Sequence, residues 1–187
     1  MKLITAPTAE PLVLADVKTR LSIKDTEDDS DITAYIQAAR EQAESYMDRS
    51  IITQTWELAL DGFSNEIELP KGPVQSITSV KYYDTDDVEQ TVNSADYVLN
   101  DYDELKPVLI EAKDADWPAT NGFSNNVKVR YVTGWGDAAD VPEDVKTAML
   151  LAIGHWIRFQ AVAESGIPTR MPRQFYDLLQ RHRVVKL

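Results

Sequence analysis

The chain has 187 residues, a formal net charge of -12 and no cysteine. This length allows one compact domain, or a core with a large insertion. The lack of cysteine excludes disulfides, thiolate metal sites and a cysteine nucleophile, and it suits folding in a reducing cytoplasm. The net charge argues against a general nucleic-acid-binding surface, which needs clustered Lys and Arg. No apolar run approaches the roughly 20 residues of a membrane span, and the start lacks the features of an export signal, so we expect a soluble protein.

Two helices are predicted near the start of the chain, over residues 14–21 and 29–49. The longer one has apolar residues at helical spacing along one face, including Ile36 and Tyr46. The acidic residues 25–31 contain alternating carboxylates, as a calcium loop does. Ser30 stands where such a loop needs glycine and its late glutamate is missing, so we interpret them as the cap of the second helix.

The middle of the chain has the texture of a β-structure. Short runs rich in β-branched and aromatic residues predict strands over residues 53–60, 67–69, 74–83, 97–100, 108–111 and 127–132. Turn-forming residues separate these runs, among them Asp61-Gly62 and Asn121-Gly122. The spacing favours an antiparallel meander or small sandwich and leaves no room for parallel βαβ units.

A long apolar helix is predicted to begin at Pro142, with Glu143 and Asp144 in its first turn, and to stop at residues 166–168. Apolar residues cover more than one of its faces, so we expect burial from several sides, in part by another subunit. A short helix over residues 173–181 and a basic tail follow. The candidates for core or subunit packing are Ile36, Tyr46, Met149, Ile153, Trp156 and Ile157.

These elements predict an α+β fold with a helical core and an antiparallel β-rich insertion. Residues 1–50 and 141–187 are expected to pack as one helical domain, and residues 51–140 form the insertion. Charge is unevenly distributed along the chain. From Pro142 onward there are seven basic and four acidic residues, a net of +3, so the preceding residues carry -15.

Candidates for catalysis are few. His155 lies within the apolar helix and has no partner visible in the sequence, and His182 is flanked by arginines. The Gly134-Trp135-Gly136 stretch is followed by Asp137, and it fits a tight turn better than a phosphate loop. Glu66 and Glu68 share one side of a predicted strand and could mimic a carboxylate pair, but a solvated strand face explains them. We therefore expect no catalytic, metal or cofactor site.

The basic end of the chain leaves two interpretations open. Its cations could pair with an acidic partner surface, while two valines add to a strand edge or fill a groove. Equally, it could be a solvated helix face with a frayed terminus. The candidate docking residues are Arg170, Arg173, Arg181, Arg183, Val184, Val185 and Lys186.

Several segments together resemble one protein family. They include Leu69-Pro-Lys-Gly-Pro-Val, Val129-Arg-Tyr-Val-Thr-Gly-Trp-Gly-Asp137 and Val141-Pro-Glu-Asp-Val-Lys, with further matches at residues 51–63, 96–97, 117–119 and 176–187. In this order they resemble the head–tail connector, or adaptor, proteins of long-tailed phages, prophages and gene transfer agents. The resemblance covers nearly the whole chain.

The resemblance implies a structural subunit without catalysis or cofactor, made in the bacterial cytoplasm and incorporated at the head–tail junction. It implies a ring, usually of twelve copies, beneath the portal, with a stopper or tail-completion protein on the other face and DNA passing through the channel. Acidic residues before Pro142 would then face the channel or the ring exterior, and the basic end would clasp the portal. The alternatives are another neck or tail-completion ring, a hydrolase using acidic residues, and an acidic regulator that mimics nucleic acid.

Overall fold

The computed structural model describes residues 1–164 and 170–185. The chain divides into two compact units, which we call the sheet unit (Met1–Pro7 and Thr53–Trp135) and the helical unit (Thr8–Ile52 and Gly136–Leu187). Helices at both ends and antiparallel strands between them confirm the predicted α+β class. Residues 1–7 belong with the strands, whereas the sequence had assigned them to the helical segment. Within the described residues, no helix is long and apolar enough to cross a membrane.

The sheet unit contains two antiparallel sheets. The larger has the strand order β1-β2-β8-β4-β5 and the smaller the order β3-β7-β6. The bounds are β1 Lys2–Thr5, β2 Gln54–Leu60, β3 Glu66–Glu68, β4 Val74–Tyr83, β5 Glu89–Thr91, β6 Tyr97–Asn100, β7 Val108–Glu111 and β8 Val127–Thr133. Two of these strands, β1 and β5, were not predicted. Both lie at the edges of the larger sheet, and all their residues are exposed.

Strand β8 lies at the centre of the larger sheet, between β2 and β4. Its residues alternate between buried and partly buried, the period of two that a strand with one core face requires. Val127, Val129 and Tyr131 enter a core shared with Ile67 and Leu109 of the smaller sheet. The Tyr131 hydroxyl donates a hydrogen bond to the Pro70 carbonyl at 2.9 Å, and burial raises the pKa of Tyr131.

The helical unit is built from α1 (Leu14–Leu21), α2 (Asp29–Met47), α3 (Glu143–Glu164), α4 (Arg173–Leu179) and a 3₁₀ turn (Gln180–His182). Its core includes Ile36 of α2, Met149 and Ile153 of α3, and Phe175 and Leu179 of α4. At Gly154 an added Cβ would lie 3.3 Å from the Leu21 side chain, so glycine permits the close approach of α1 and α3.

Burial on α3 is less complete than the sequence suggested. Met149 and Ile153 are fully buried, but Trp156 and Ile157 are only partly so, and Leu151 is exposed. The burial of these residues by another subunit stays a prediction. Its predicted stop at residues 166–168 lies outside the described residues.

Candidate functional site

The C-terminal segment, by which we mean residues 170–185, is fastened to the end of α2. The Tyr46 hydroxyl donates to Oε1 of Gln180 at 2.6 Å, and the backbone N–H of Val184 donates to the Met47 carbonyl at 2.9 Å. The Arg183 guanidinium lies over the Tyr46 ring, 4.9 Å from its centroid. Carbonyls in the last turn of a helix lack partners within the helix, so Val184 satisfies a group that otherwise needs water.

Asp144, in the first turn of α3, holds the same segment from a second side. Its Oδ2 lies 2.6 Å from Nη2 of Arg181 and 2.9 Å from Nε2 of His182. Burial alone would raise the pKa of Asp144, but the hydrogen bonds from His182 and Arg181 lower it below the ordinary value. The segment is thus held by α2 and α3 together, and we call this set of contacts the anchor.

The anchor divides the predicted docking residues into two groups. Arg181 and Arg183 make contacts within the subunit, and the backbone of Val184 does the same. Arg170, Arg173 and Val185 are exposed and have no ion pair or side-chain hydrogen bond among the described residues. Lys186 lies outside the described residues. Tyr46, predicted as a packing residue, is partly exposed, and its hydroxyl and ring contact the C-terminal segment.

An apolar groove of about 260 Å³ lies on the helical unit and was not predicted. It is lined by Leu21, Leu150, Leu151, Gly154, His155, Arg158, Phe159 and Pro172. The His155 ring packs against Phe159 at 4.7 Å between centroids, and its buried Nε2 has no hydrogen-bond partner among the described residues. Arg158 is exposed at the groove and has no ion-pair partner in the described part of the chain. The adjacent residues Leu150 and Leu151 are both apolar, and the sequence does not show which of them is exposed.

The acidic candidates form no reactive arrangement. Asp29 accepts a hydrogen bond from Nζ of Lys18, and Asp28 makes no side-chain cap. The negative charge at the start of α2 is favoured by the helix dipole. Glu66 and Glu68 are exposed on β3 beside an open depression. No group of three or more His, Cys, Asp or Glu side chains could hold a metal in residues 1–159 and 170–185.

Comparisons with known proteins agree with this architecture. A family model described as "Head completion protein" matches residues 12–167. A chain in the neck of a native gene transfer agent (GTA) particle, computed with C12 symmetry, is 25% identical with a TM-score of 0.75, over 100% of this chain and 97% of that one. A chain in the neck of an empty GTA particle, computed with C6 symmetry, is 24% identical with a TM-score of 0.77, over 100% and 97%.

A chain from the virion of the native GTA particle is 22% identical, with a TM-score of 0.79, over 100% of this chain and 96% of that one. No curated protein sequence matches the chain. The two matches below 25% identity establish a shared fold, and the family model covers well over half of the chain. The chain therefore belongs to the head completion protein family, and its role is structural, at the junction of head and tail, rather than enzymatic.

Proposed function

We propose that the chain forms a twelve-fold ring beneath a portal, with its C-terminal segment docked on the portal and its opposite face on a stopper or tail-completion protein. The observation that carries the proposal is the anchored segment. It presents Arg170 and Arg173 as exposed cations without ion-pair partners among the described residues, on a chain whose other residues are strongly acidic.

The ring is supported by the neck structures that share this fold. One of them was computed with C12 symmetry and another with C6, and both align over the full length of this chain. A ring requires a heterologous interface, in which one surface of a subunit meets a different surface of its neighbour and the rotation closes. The helical and sheet units together offer enough distinct exposed surface for such an interface.

The anchor holds the C-terminal segment in place, and this supports its role as the docking face. A flexible tail loses conformational entropy when it binds, whereas a segment already held by Tyr46, Met47 and Asp144 has lost most of that freedom in the free subunit. Arg170 and Arg173 can then pair with carboxylates of the portal, and Val185 can add apolar contact. The anchor contacts fix the position of this face and leave its exposed cations available.

The charge distribution supports a channel through which DNA passes without binding. Residues before Pro142 carry a net charge of -15, and a surface of this sign repels phosphate. We assign part of this excess to the channel or the ring exterior. A ring structure whose channel is lined by Lys and Arg would contradict this assignment.

The proposal is tested by electron microscopy and co-purification of the full chain with its portal. The double variant Arg170→Glu with Arg173→Glu should lose portal binding and keep its melting temperature, because both side chains are exposed. The control is Lys24→Glu with Lys113→Glu, which makes the same change of net charge at exposed lysines elsewhere and should bind as the natural chain does.

Equal portal binding by both double variants would show that the C-terminal segment does not contact the portal. A ring that forms without any portal binding would instead favour the second candidate, a neck or tail-completion ring.

A further inference from the structure

The groove on the helical unit has the size and chemistry of a receptor for one side chain. Its volume of about 260 Å³ lies below the roughly 300–1,000 Å³ of ligand pockets. Leu150, Leu151 and Phe159 give it apolar walls, and Arg158 places beside them a positive charge that has no ion-pair partner among the described residues. The buried Nε2 of His155, which lacks a hydrogen-bond partner among the described residues, adds one unsatisfied polar atom.

The sheet unit carries a side chain of matching character on the loop between β6 and β7. Tyr102 is 99% exposed, the most exposed of the large apolar side chains in the described residues. Backbone N–H groups of Tyr102 and Leu105 donate to the side chains of Asn100 and Asp103, at 3.3 and 2.9 Å, so the loop holds a defined conformation. Asp101 and Asp103 flank the ring and are exposed. Tyrosine is enriched among the residues that contribute most of the binding energy at protein interfaces.

The groove and the Tyr102 loop are complementary in apolar character and in charge. An aromatic ring fits apolar walls, the acidic loop suits the exposed cation of Arg158, and a phenol hydroxyl can both donate and accept a hydrogen bond. We propose that Tyr102 of one copy enters the groove of the next copy and that this contact links neighbouring subunits of the ring. This inference rests on the ring of the proposed function.

A second copy is the occupant because each chain carries both halves of the contact. Every subunit offers one Tyr102 loop, in the sheet unit, and one groove, in the helical unit, so the contact is heterologous and can repeat around a closed ring. A portal or stopper protein bound in the groove would leave the Tyr102 loop without a partner.

Cross-linking tests the contact directly, since the chain has no cysteine of its own. The full-length variant Asp101→Cys with Leu151→Cys keeps Tyr102 in place, and both changed residues are exposed. After ring assembly with the portal, a short bismaleimide should give a ladder of covalent oligomers. A mixture of the two single-cysteine variants should stop at a product of two subunits, because each chain then has only one reactive half.

Two further variants make the test specific. Tyr102→Ser added to the double-cysteine chain should abolish the ladder without lowering the melting temperature, because Tyr102 is 99% exposed. The control Phe123→Cys with Leu151→Cys, which uses another exposed aromatic position of the sheet unit, should give no ladder.

The inference is overturned if rings are visible by electron microscopy and the double-cysteine chain does not cross-link, or if its ladder survives Tyr102→Ser. If the natural chain forms no ring with or without portal, the proposed function fails, and the contact fails with it. The micrographs therefore separate the two failures.

Discussion

Arg40 should be a costly charged residue to replace in the helical unit. Its side chain is 8% exposed, with Nε at 2.8 Å from Oε2 of Glu10 and Nη1 at 3.1 Å from Oε2 of Glu44. The other oxygen of Glu44 accepts the backbone N–H of Ile51 at 2.8 Å. Burial alone would lower the pKa of Arg40, but the hydrogen bond to Glu10 and the charges of Glu44 and Glu41 raise it.

Arg40→Met keeps the apolar stem and removes the guanidinium. The carboxylates of Glu10 and Glu44 then lose their shared counter-ion, and Glu44 is only 15% exposed. Removal of one partner from a buried ion pair costs about 3–5 kcal/mol. We expect the lower half of this range, because Glu10 can turn toward water. The loss should appear as a shift of roughly 10 °C in thermal unfolding followed by circular dichroism.

Arg130 provides the matched control in the sheet unit. Its Nη2 lies 2.7 Å from Oε2 of Glu57, as short a pair as that of Arg40, but its side chain is 42% exposed. Exposed pairs contribute about 0–1 kcal/mol, so Arg130→Met should change the free energy of unfolding by less than 1 kcal/mol. Equal losses for the two variants would refute the argument that burial, rather than the presence of an ion pair, sets the cost. Recovery in the triple variant Arg40→Met, Glu10→Gln, Glu44→Gln would identify the stranded carboxylates as the cause.

Two further predictions concern the anchor and α3. Folding lowers the pKa of Asp144, so the Asp144 carboxylate stabilises the folded state. This stabilisation should be complete above the ordinary carboxyl pKa and should disappear as the pH falls through the lowered pKa. Asp144→Asn should therefore lower the free energy of unfolding by about 2 kcal/mol near neutral pH. This is less than the value of two full charged hydrogen bonds, because Arg181 is 70% exposed. In urea unfolding, the variant should also lose the fall in stability that Asp144 causes at acidic pH. Trp156→Ala should cost about 2 kcal/mol, below the value for a fully buried tryptophan, because the ring is partly exposed and contacts Tyr35 at 5.7 Å between centroids. An unchanged melting temperature would place Trp156 outside the subunit core.

Elements with a strong hydrophobic period were predictable from the sequence. The predicted bounds of α1, β4, β6 and β7 match the structure, and β8 differs by one residue, because each has a buried face that its apolar residues mark. Strands β1 and β5 have no such face. The Glu89–Thr91 strand is polar and has no buried residue, and it is a strand only because β4 supplies its hydrogen bonds. That pairing is a tertiary effect that no local pattern records.

The candidate site was predictable in its residues and not in its contacts. The basic residues of the C-terminal segment are evident from composition, but the acceptors that hold them, Asp144 and the Met47 carbonyl, lie far away in sequence. The sequence therefore left a free tail and a docking element as equal interpretations. The groove was missed for a related reason, since exposed Leu151 and buried Leu150 are adjacent and periodicity cannot assign their burial.

The anchor also sets an order of events during synthesis. Tyr46 and Gln180, which share a hydrogen bond, are 134 residues apart, so the first leaves the ribosome long before the second. The contacts of Gln180 and Val184 with the end of α2 can form only after almost the whole chain has been synthesised. The docking face is therefore completed late in translation. A nascent or shortened chain that ends before Gln180 lacks that face. Under the proposed function, such a chain would fail to attach to a portal, and only subunits that carry the C-terminal segment would enter the neck.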